Sequence, residues 1–488
     1  MTDDLTPKRE YYRLFGPELR VWVFIALGIR LVLMPICGHY DLLCAYGYAA
    51  RLIAGTMGWA DLYADHSASL LHTAVLKVMQ PFVKTFILSG GTVGIDEGTW
   101  GFWRAYAKTP EILRAFGLLK LPYLGLDLLS AWLILRIVGA HPRAIGSVKL
   151  WLFNPVNIFV MYMFGRFDIV AVPFLFASIL SLKSRRTALA GLLFGICPAV
   201  RFYYILFVPA FAAVSSSRWR DRVVVFLFAL FPILFQTASL AAGVFPLAFL
   251  VGTAGVTLLL LSERFRRHEI AVLIVSLAGA VVLLFSDSSS IGPAFSYSGF
   301  GMVGFALHAE FPFRIGMELW RDEAIYPVFV VYGLFLLWVI GLKRWCLSSF
   351  AALFAIFLLG YYSVSFFHPQ YLVALVAGVV LASTWQPRLA GLHILQCFLA
   401  LVLVFNYRVH ATNYLFAAFD PDAVFASSRL LDLVEAKVGA LGPKAIIGIS
   451  RSLFVAVSLW MIWHLFKRVR EDAAGPASCW TPTVHAET

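Results

Sequence analysis

Runs of apolar, uncharged residues close to 20 long recur along this chain, beginning at VWVFIALGIRLVLMPI and continuing to SLFVAVSLWMIWHLF near the C-terminus. A bilayer core gives backbone N–H and C=O groups no water to bond, so a chain made of such runs crosses it as helices that satisfy those groups internally. Composition agrees: 61% of residues are hydrophobic, only 14% are charged, and the mean hydropathy is +0.82. A soluble domain carries about 25% charged residues. The sequence therefore predicts an all-α, polytopic membrane protein of about 14 transmembrane helices, with amphipathic helices lying at the outer interface.

The predicted spans are 20–36, 117–138, 147–164, 168–182, 187–200, 202–214, 222–241, 243–261, 270–286, 326–342, 349–366, 370–384, 391–407 and 446–466. The short pair 187–200 and 202–214 reads as a broken or re-entrant unit. Basic segments such as PKREYYR, HPRAIGSVK, KSRR, SSRWRDR, ERFRRHE and KRVR fall at every second connection, with both termini in the same set. The excess of Lys and Arg on cytoplasmic loops puts that set inside. The net charge of +12 is thus a topology signal, and no nucleic-acid partner is expected. Segments 37–116, 165–168, 287–325, the FFHPQY turn and 407–445 then lie outside. A transporter keeps its ionisable groups near the bilayer midplane. Here they crowd the outer surface, which points to chemistry on a substrate with one lipid end.

Six cysteines are scattered without disulfide or metal spacing, and the polar N-terminus shows no removable signal peptide. No phosphate-binding loop or dinucleotide fingerprint is present, so a nucleotide-sugar donor bound inside is not expected. In the long first outer segment, SASLLHTAVLKVMQPFVKTFIL has apolar residues at Leu70, Leu71, Val75, Val78, Met79, Phe82 and Phe86, with His72, Lys77, Lys84 and Thr85 elsewhere. This spacing predicts an amphipathic interfacial helix. Trp100, Trp103 and Tyr106 follow as an aromatic anchor at headgroup level. Asp41 opens the segment. Its position fits an N-cap of the helix that follows and equally a proton acceptor at the membrane edge.

Several stretches occur in an order that resembles the GT-C superfamily of integral-membrane glycosyltransferases. They are HYDLLCAYGYAARLIAGTMGWADLY, LLKLPYLGLDLLSAWLI, WLFNPVNIFVMYMFGRFDIVAVPFLFASILSL, AGLLFGICPAVRFYYILFVPA and FFHPQYLVAL. Arg166 stands where that family often has Gln or His before the FD pair, and the family's Y-x-x-P-P-L is replaced by ADHSASLLHTAVLK. The resemblance implies a GT-C module over residues 1–215 and a more variable membrane module over 216–488. It implies an inverting hexosyltransferase that moves a hexose such as mannose from a polyprenyl-phosphate sugar to a glycolipid or cell-envelope glycan, outside the membrane.

The same resemblance implies site roles. Asp41 takes the base position, and Asp168 is a second catalytic acid that also suits a helix cap or an ion pair with Arg166. Arg201 is a donor-phosphate clamp or a snorkelling cation. Lys120 is a second phosphate cation or likewise snorkels. Arg166, His368, Gln370 and Tyr371 complete the donor-phosphate and sugar contacts. Asn154 reads as satisfying helix structure, and Arg314 and Glu310 as lying on an interfacial helix. No metal and no cofactor are expected beyond the lipid-linked sugar as co-substrate, although outer carboxylates with a phosphate leave a divalent ion open. The remaining expectations are a monomer in contact with membrane lipids and a bacterial inner (plasma) membrane. A flippase or transporter of lipid-linked sugars is the alternative from another class.

Overall fold

A computed structural model describes residues 14–59, 62, 66–79, 81–82, 103, 106–216, 218–241, 253, 256, 317–320, 323–325, 327–342, 346–364, 371–405, 412–428 and 430–474. The helices are α1 Pro17–Ile36, α2 Tyr40–Ile53, α3 His66–Met79, α4 Ile112–Val138, α5 Ala144–Leu152, α6 Pro155–Ile158, α7 Ala171–Lys183, α8 Thr187–Val200, α9 Val208–Ser215 and α10 Trp219–Ala241. They continue with α11 Pro327–Gly341, α12 Leu347–Val364, α13 Leu372–Trp385, α14 Arg388–Val404, α15 Pro421–Ala426, α16 Leu430–Val438 and α17 Leu441–Ala474. The other expected stretches overlap these helices, whereas 243–261, apart from Thr253 and Val256, and 270–286 lie outside the described residues. Arg314 and Glu310 lie outside them too. The helix expected around them gives way, in its described part, to an antiparallel ribbon of Met317–Trp320 with Glu323–Ile325.

Among the described residues, four helical segments are long and apolar enough to cross a membrane: Pro17–Ile36, Ile112–Val138, Ala144–Phe164 and Leu441–Ala474. Outward faces on these and on shorter helices stay apolar. Val21, Phe24 and Val32 on α1, Leu334 and Leu337 on α11, and Leu459, Trp460 and Trp463 on α17 are all exposed. Apolar surface on this scale is unfavourable in water and is the expected coat of a membrane protein. Inside the bundle, α8 and α10 approach closely because Gly191 and Gly195, one turn apart, carry no side chain. A Cβ at either would lie within 2.6 Å of the Val225 or Ala229 carbonyl oxygen. Small residues at this spacing let backbones of apolar helices touch.

The bundle also buries charge. Arg30 of α1 and Asp127 of α4 are fully buried and paired at 2.7 Å. Arg30 also donates to the carbonyls of Ala26 and Leu152, and Asp127 accepts from Trp151 Nε1 at 2.7 Å and Tyr162 OH at 2.6 Å. Each lone pair and N–H so used offsets part of the desolvation penalty of moving the ions inside. This cluster ties α1, α4, α5 and the turn after α6 together, and α1 and that turn lead into the segments that carry Asp41 and Arg166.

The expected span 147–164 is interrupted at Asn154. Its side chain accepts from the amides of Val156 and Asn157, capping α6, and Pro155 occupies the first helical position. Asn154 also bonds His393 at 3.1 Å. It serves the backbone, as the sequence suggested. The segment then widens into a π-turn over Phe159–Phe164 and stops at Gly165, whose φ of 83° is left-handed. A Cβ there would also meet Lys120 Cε at 3.0 Å and Leu42 Cβ at 3.2 Å, so both conformation and space select glycine.

Removing one member of the inner ion pair leaves the other charge buried alone. Asp127→Ala is expected to cost about 3–5 kcal/mol of stability. The double variant Arg30→Met/Asp127→Leu is expected to recover a large part of that loss, as read by thermal unfolding in detergent.

Candidate functional site

The C-terminal end of α1 turns directly into α2. His39 is the N-cap, its Nδ1 accepting from the Asp41 amide at 3.1 Å, and its ring stacks on Phe164 at 3.7 Å. The capping reading of Asp41 is thereby corrected. His39 caps the helix, and the Asp41 carboxylate lies in the first turn, where the helix dipole favours a negative charge.

Across from it, Gly165 turns the chain so that Arg166 is extended and Phe167–Val170 form a short 3-10 turn leading into α7. Arg166 Nη1 donates to Asp41 Oδ2 at 3.1 Å, and its Nε lies 3.8 Å from Asp168 Oδ2. Arg201, at the end of α8 where the chain passes into a second 3-10 turn, grips Asp168 with both arms of its fork, Nε to Oδ1 at 2.7 Å and Nη2 to Oδ2 at 3.1 Å. The result is a line of alternating charge, Asp41, Arg166, Asp168, Arg201, with no net charge. The Phe167 ring lies against both cations, with the Arg201 guanidinium carbon 4.2 Å and the Arg166 carbon 5.0 Å from its centroid. Tyr371, just before α13, adds a ring 5.4 Å from Arg201.

Exposure decides which end of the line meets a ligand. The Asp41 side chain is 28% exposed, Arg166 14%, Arg201 8% and Asp168 0%. Asp168 is the buried counter-ion of the two arginines, while Asp41 stands at the opening. Burial alone would lower the Arg166 guanidinium, but Asp41 and Asp168 outweigh that and hold it raised. Among the described residues, Arg166 Nε has no hydrogen-bond partner, although it is buried.

Two expectations change. Lys120 is fully buried, and its ammonium donates to the carbonyls of Met34, Cys37 and Tyr162. It neither snorkels nor has an N–H left over for an anion; it ties the end of α1 to the end of the π-turn. Arg201 also does not snorkel, because Asp168 holds it inside. His368 and Gln370 lie outside the described residues. Trp103 and Tyr106, expected at headgroup level, are buried instead, with the Trp103 ring 5.7 Å from Phe116 and 6.4 Å from Phe425.

The floor of the site was not foreseen. α3 packs through Ala68, Ser69, His72 and Leu76, whereas Val78 and Phe82 of the expected apolar stripe face outward. His72 Nε2 lies 2.7 Å from Tyr123 OH, and its ring meets Phe167 edge-on at 5.3 Å. The signal was present: a histidine on an otherwise apolar helix too short, at 14 residues, to span a bilayer. Burial, with Arg166 and Arg201 nearby, lowers His72 to about 3, so it is neutral. Among the described residues no group of three or more His, Cys, Asp or Glu side chains gathers to hold a metal ion.

Chemically the site offers a partly open carboxylate that can accept a proton, beside guanidinium groups suited to phosphate oxygens. No family model matches the chain, and no solved structure matches it. A GPI alpha-1,4-mannosyltransferase I catalytic subunit from Danio rerio is 30% identical over 209 residues, which is 41% of this chain. The chain spans about half, 53%, of that relative's length.

A histidine held below its ordinary 6.5 binds its proton first in the unfolded chain, so its contribution to stability is complete above pH 6.5 and is lost as pH falls toward 3. Replacing His72 with Gln is expected to flatten the acid side of the stability profile, by at most about 1.4 kcal/mol per pH unit. Thermal midpoints in detergent between about pH 4.5 and 7.5 measure it. An unchanged slope would contradict the neutral, buried assignment.

Proposed function

We propose that this membrane protein is an inverting glycosyltransferase of GT-C type that moves a hexose such as mannose from a polyprenyl-phosphate sugar to a glycolipid or glycan acceptor. The reading includes about fourteen spans and a site on the extracytoplasmic face of, in a bacterium, the inner membrane. The observation that carries it is the Asp41–Arg166–Asp168–Arg201 line, with its acid end open and its cations deeper. The similarity to a mannosyltransferase supports it.

In this reaction an acceptor hydroxyl attacks the anomeric carbon from the face opposite the phosphate. Asp41 takes the hydroxyl proton as the new C–O bond forms. The bond from the anomeric carbon to the phosphate oxygen breaks, and the electron pair leaves with the polyprenyl phosphate. The donor is a phosphodiester with one negative charge, and the departing monoester carries up to two. Charge therefore builds on the phosphate during transfer, which is where preorganised guanidinium groups are most effective. Asp168 keeps the two arginines together, and Tyr371, with His368 and Gln370 from the same turn, completes the donor contacts.

The test is transfer from a radiolabelled polyprenyl-phosphate mannose to membrane glycolipid extracts by the purified chain. Asp41→Asn is expected to lower the rate by roughly 100-fold or more while costing under about 1 kcal/mol of stability. Asp168→Ala is expected to lose stability as well, because it removes the carboxylate that the buried Arg201 fork grips. Full activity in Asp41→Asn, or movement of the lipid-linked sugar between leaflets without transfer, would overturn the proposal.

A further inference from the structure

Arg166 stands out in the charged line. Asp168 is fully engaged, with both oxygens in the fork of Arg201. Arg166 is held more loosely. Among the described residues it donates to Asp41 Oδ2 at 3.1 Å, and its Nε, 3.8 Å from Asp168, makes no hydrogen bond. A buried N–H left without an acceptor costs free energy that an arriving oxyanion would recover. The guanidinium that best suits an incoming phosphate is therefore the one that covers the proposed base.

We infer that Arg166 is an exchangeable latch: in the resting protein it holds the Asp41 carboxylate, and an anionic phosphate draws it away, so that phosphate binding exposes Asp41. This rests on the proposed reading of the site as a polyprenyl-phosphate pocket. It makes Arg166 a positioning residue as well as a phosphate ligand, and it sets an order, donor before acceptor. A phosphate on Arg166 replaces its carboxylate partner with another anion, while Asp41, 28% exposed at the opening with His39 Nδ1 3.6 Å from its Oδ1, keeps access to solvent. Arg201, clamped on Asp168 and packed on Phe167, stays as the fixed half of the pair.

The readout is independent of activity. The full chain in detergent is treated with a carbodiimide and glycine ethyl ester, and labelling of Asp41 is followed by mass spectrometry, with farnesyl phosphate as probe and farnesol as control. Binding of each is measured separately by calorimetry. Farnesyl phosphate is expected to raise Asp41 labelling several-fold, roughly the loss of one charge-assisted bond, and farnesol is expected to leave it unchanged. Arg166→Gln is expected to start at the high level, to ignore farnesyl phosphate, and to bind it about tenfold more weakly. Arg166→Lys, which keeps the charge, checks that the Gln result is not a folding defect and is expected to retain part of the response. If farnesyl phosphate binds and Asp41 labelling stays level or falls, the latch is wrong and the phosphate pocket stands. A labelling rise with farnesol also overturns the latch. If farnesyl phosphate does not bind, the proposed function falls with it.

Discussion

A charge inside an apolar bundle must have a partner, and the described part of this protein is arranged around meeting that requirement. Arg30 and Asp127 do so in the interior, with Trp151 and Tyr162 taking up the remaining carboxylate capacity. Lys120 does so with three backbone carbonyls at the place where α1 and the π-turn end. These ties fix the two strands of chain that carry Asp41 and Arg166. Without them nothing would hold a carboxylate on one turn within reach of a guanidinium on another, 125 residues later.

The same requirement shapes the candidate site. Four charged groups cancel in pairs, and their exposure falls from Asp41 at the rim to Asp168 at the bottom. A deep acid that is saturated serves structure. A shallow acid whose ion pair is partly exposed is available for chemistry at little cost to folding. Neutral His72 and the Phe167 ring form a floor that adds no further charge. The arrangement suits the two roles of the proposed reaction, holding a phosphate and receiving a proton on the other side of the sugar.

The helices were legible in the sequence because apolar runs have few alternatives in a bilayer. Asp41, Arg166, Asp168 and Arg201 were legible because charges are so rare here that each one is conspicuous. What the sequence did not disclose was direction. In a soluble helix the apolar stripe faces the protein, but beside lipid both the buried and the exposed faces are apolar. That is why His72 was assigned away from the face of α3 that packs, although Leu70, Leu71, Val75 and Met79 of the expected stripe do pack inward. Partnership was hidden for a related reason. Nothing local says that Arg30 meets Asp127, or that Lys120 spends its protons on carbonyls, because the contacts join residues 42 to 97 positions apart. The cap of α2 was assigned to Asp41 on propensity, and a histidine two residues earlier took the role by stacking on Phe164.

The central claim is that a lipid-linked sugar phosphate sits on the arginine pair with its sugar toward Asp41. An electron cryo-microscopy map of the chain in lipid nanodiscs, loaded with a polyprenyl-phosphate mannose, addresses it directly. The account expects phosphate density within hydrogen-bond distance of the Arg166 and Arg201 guanidinium groups, and the anomeric carbon between that phosphate and Asp41. Phosphate density at the opposite membrane face, or a lipid headgroup bound away from both arginines, would contradict it.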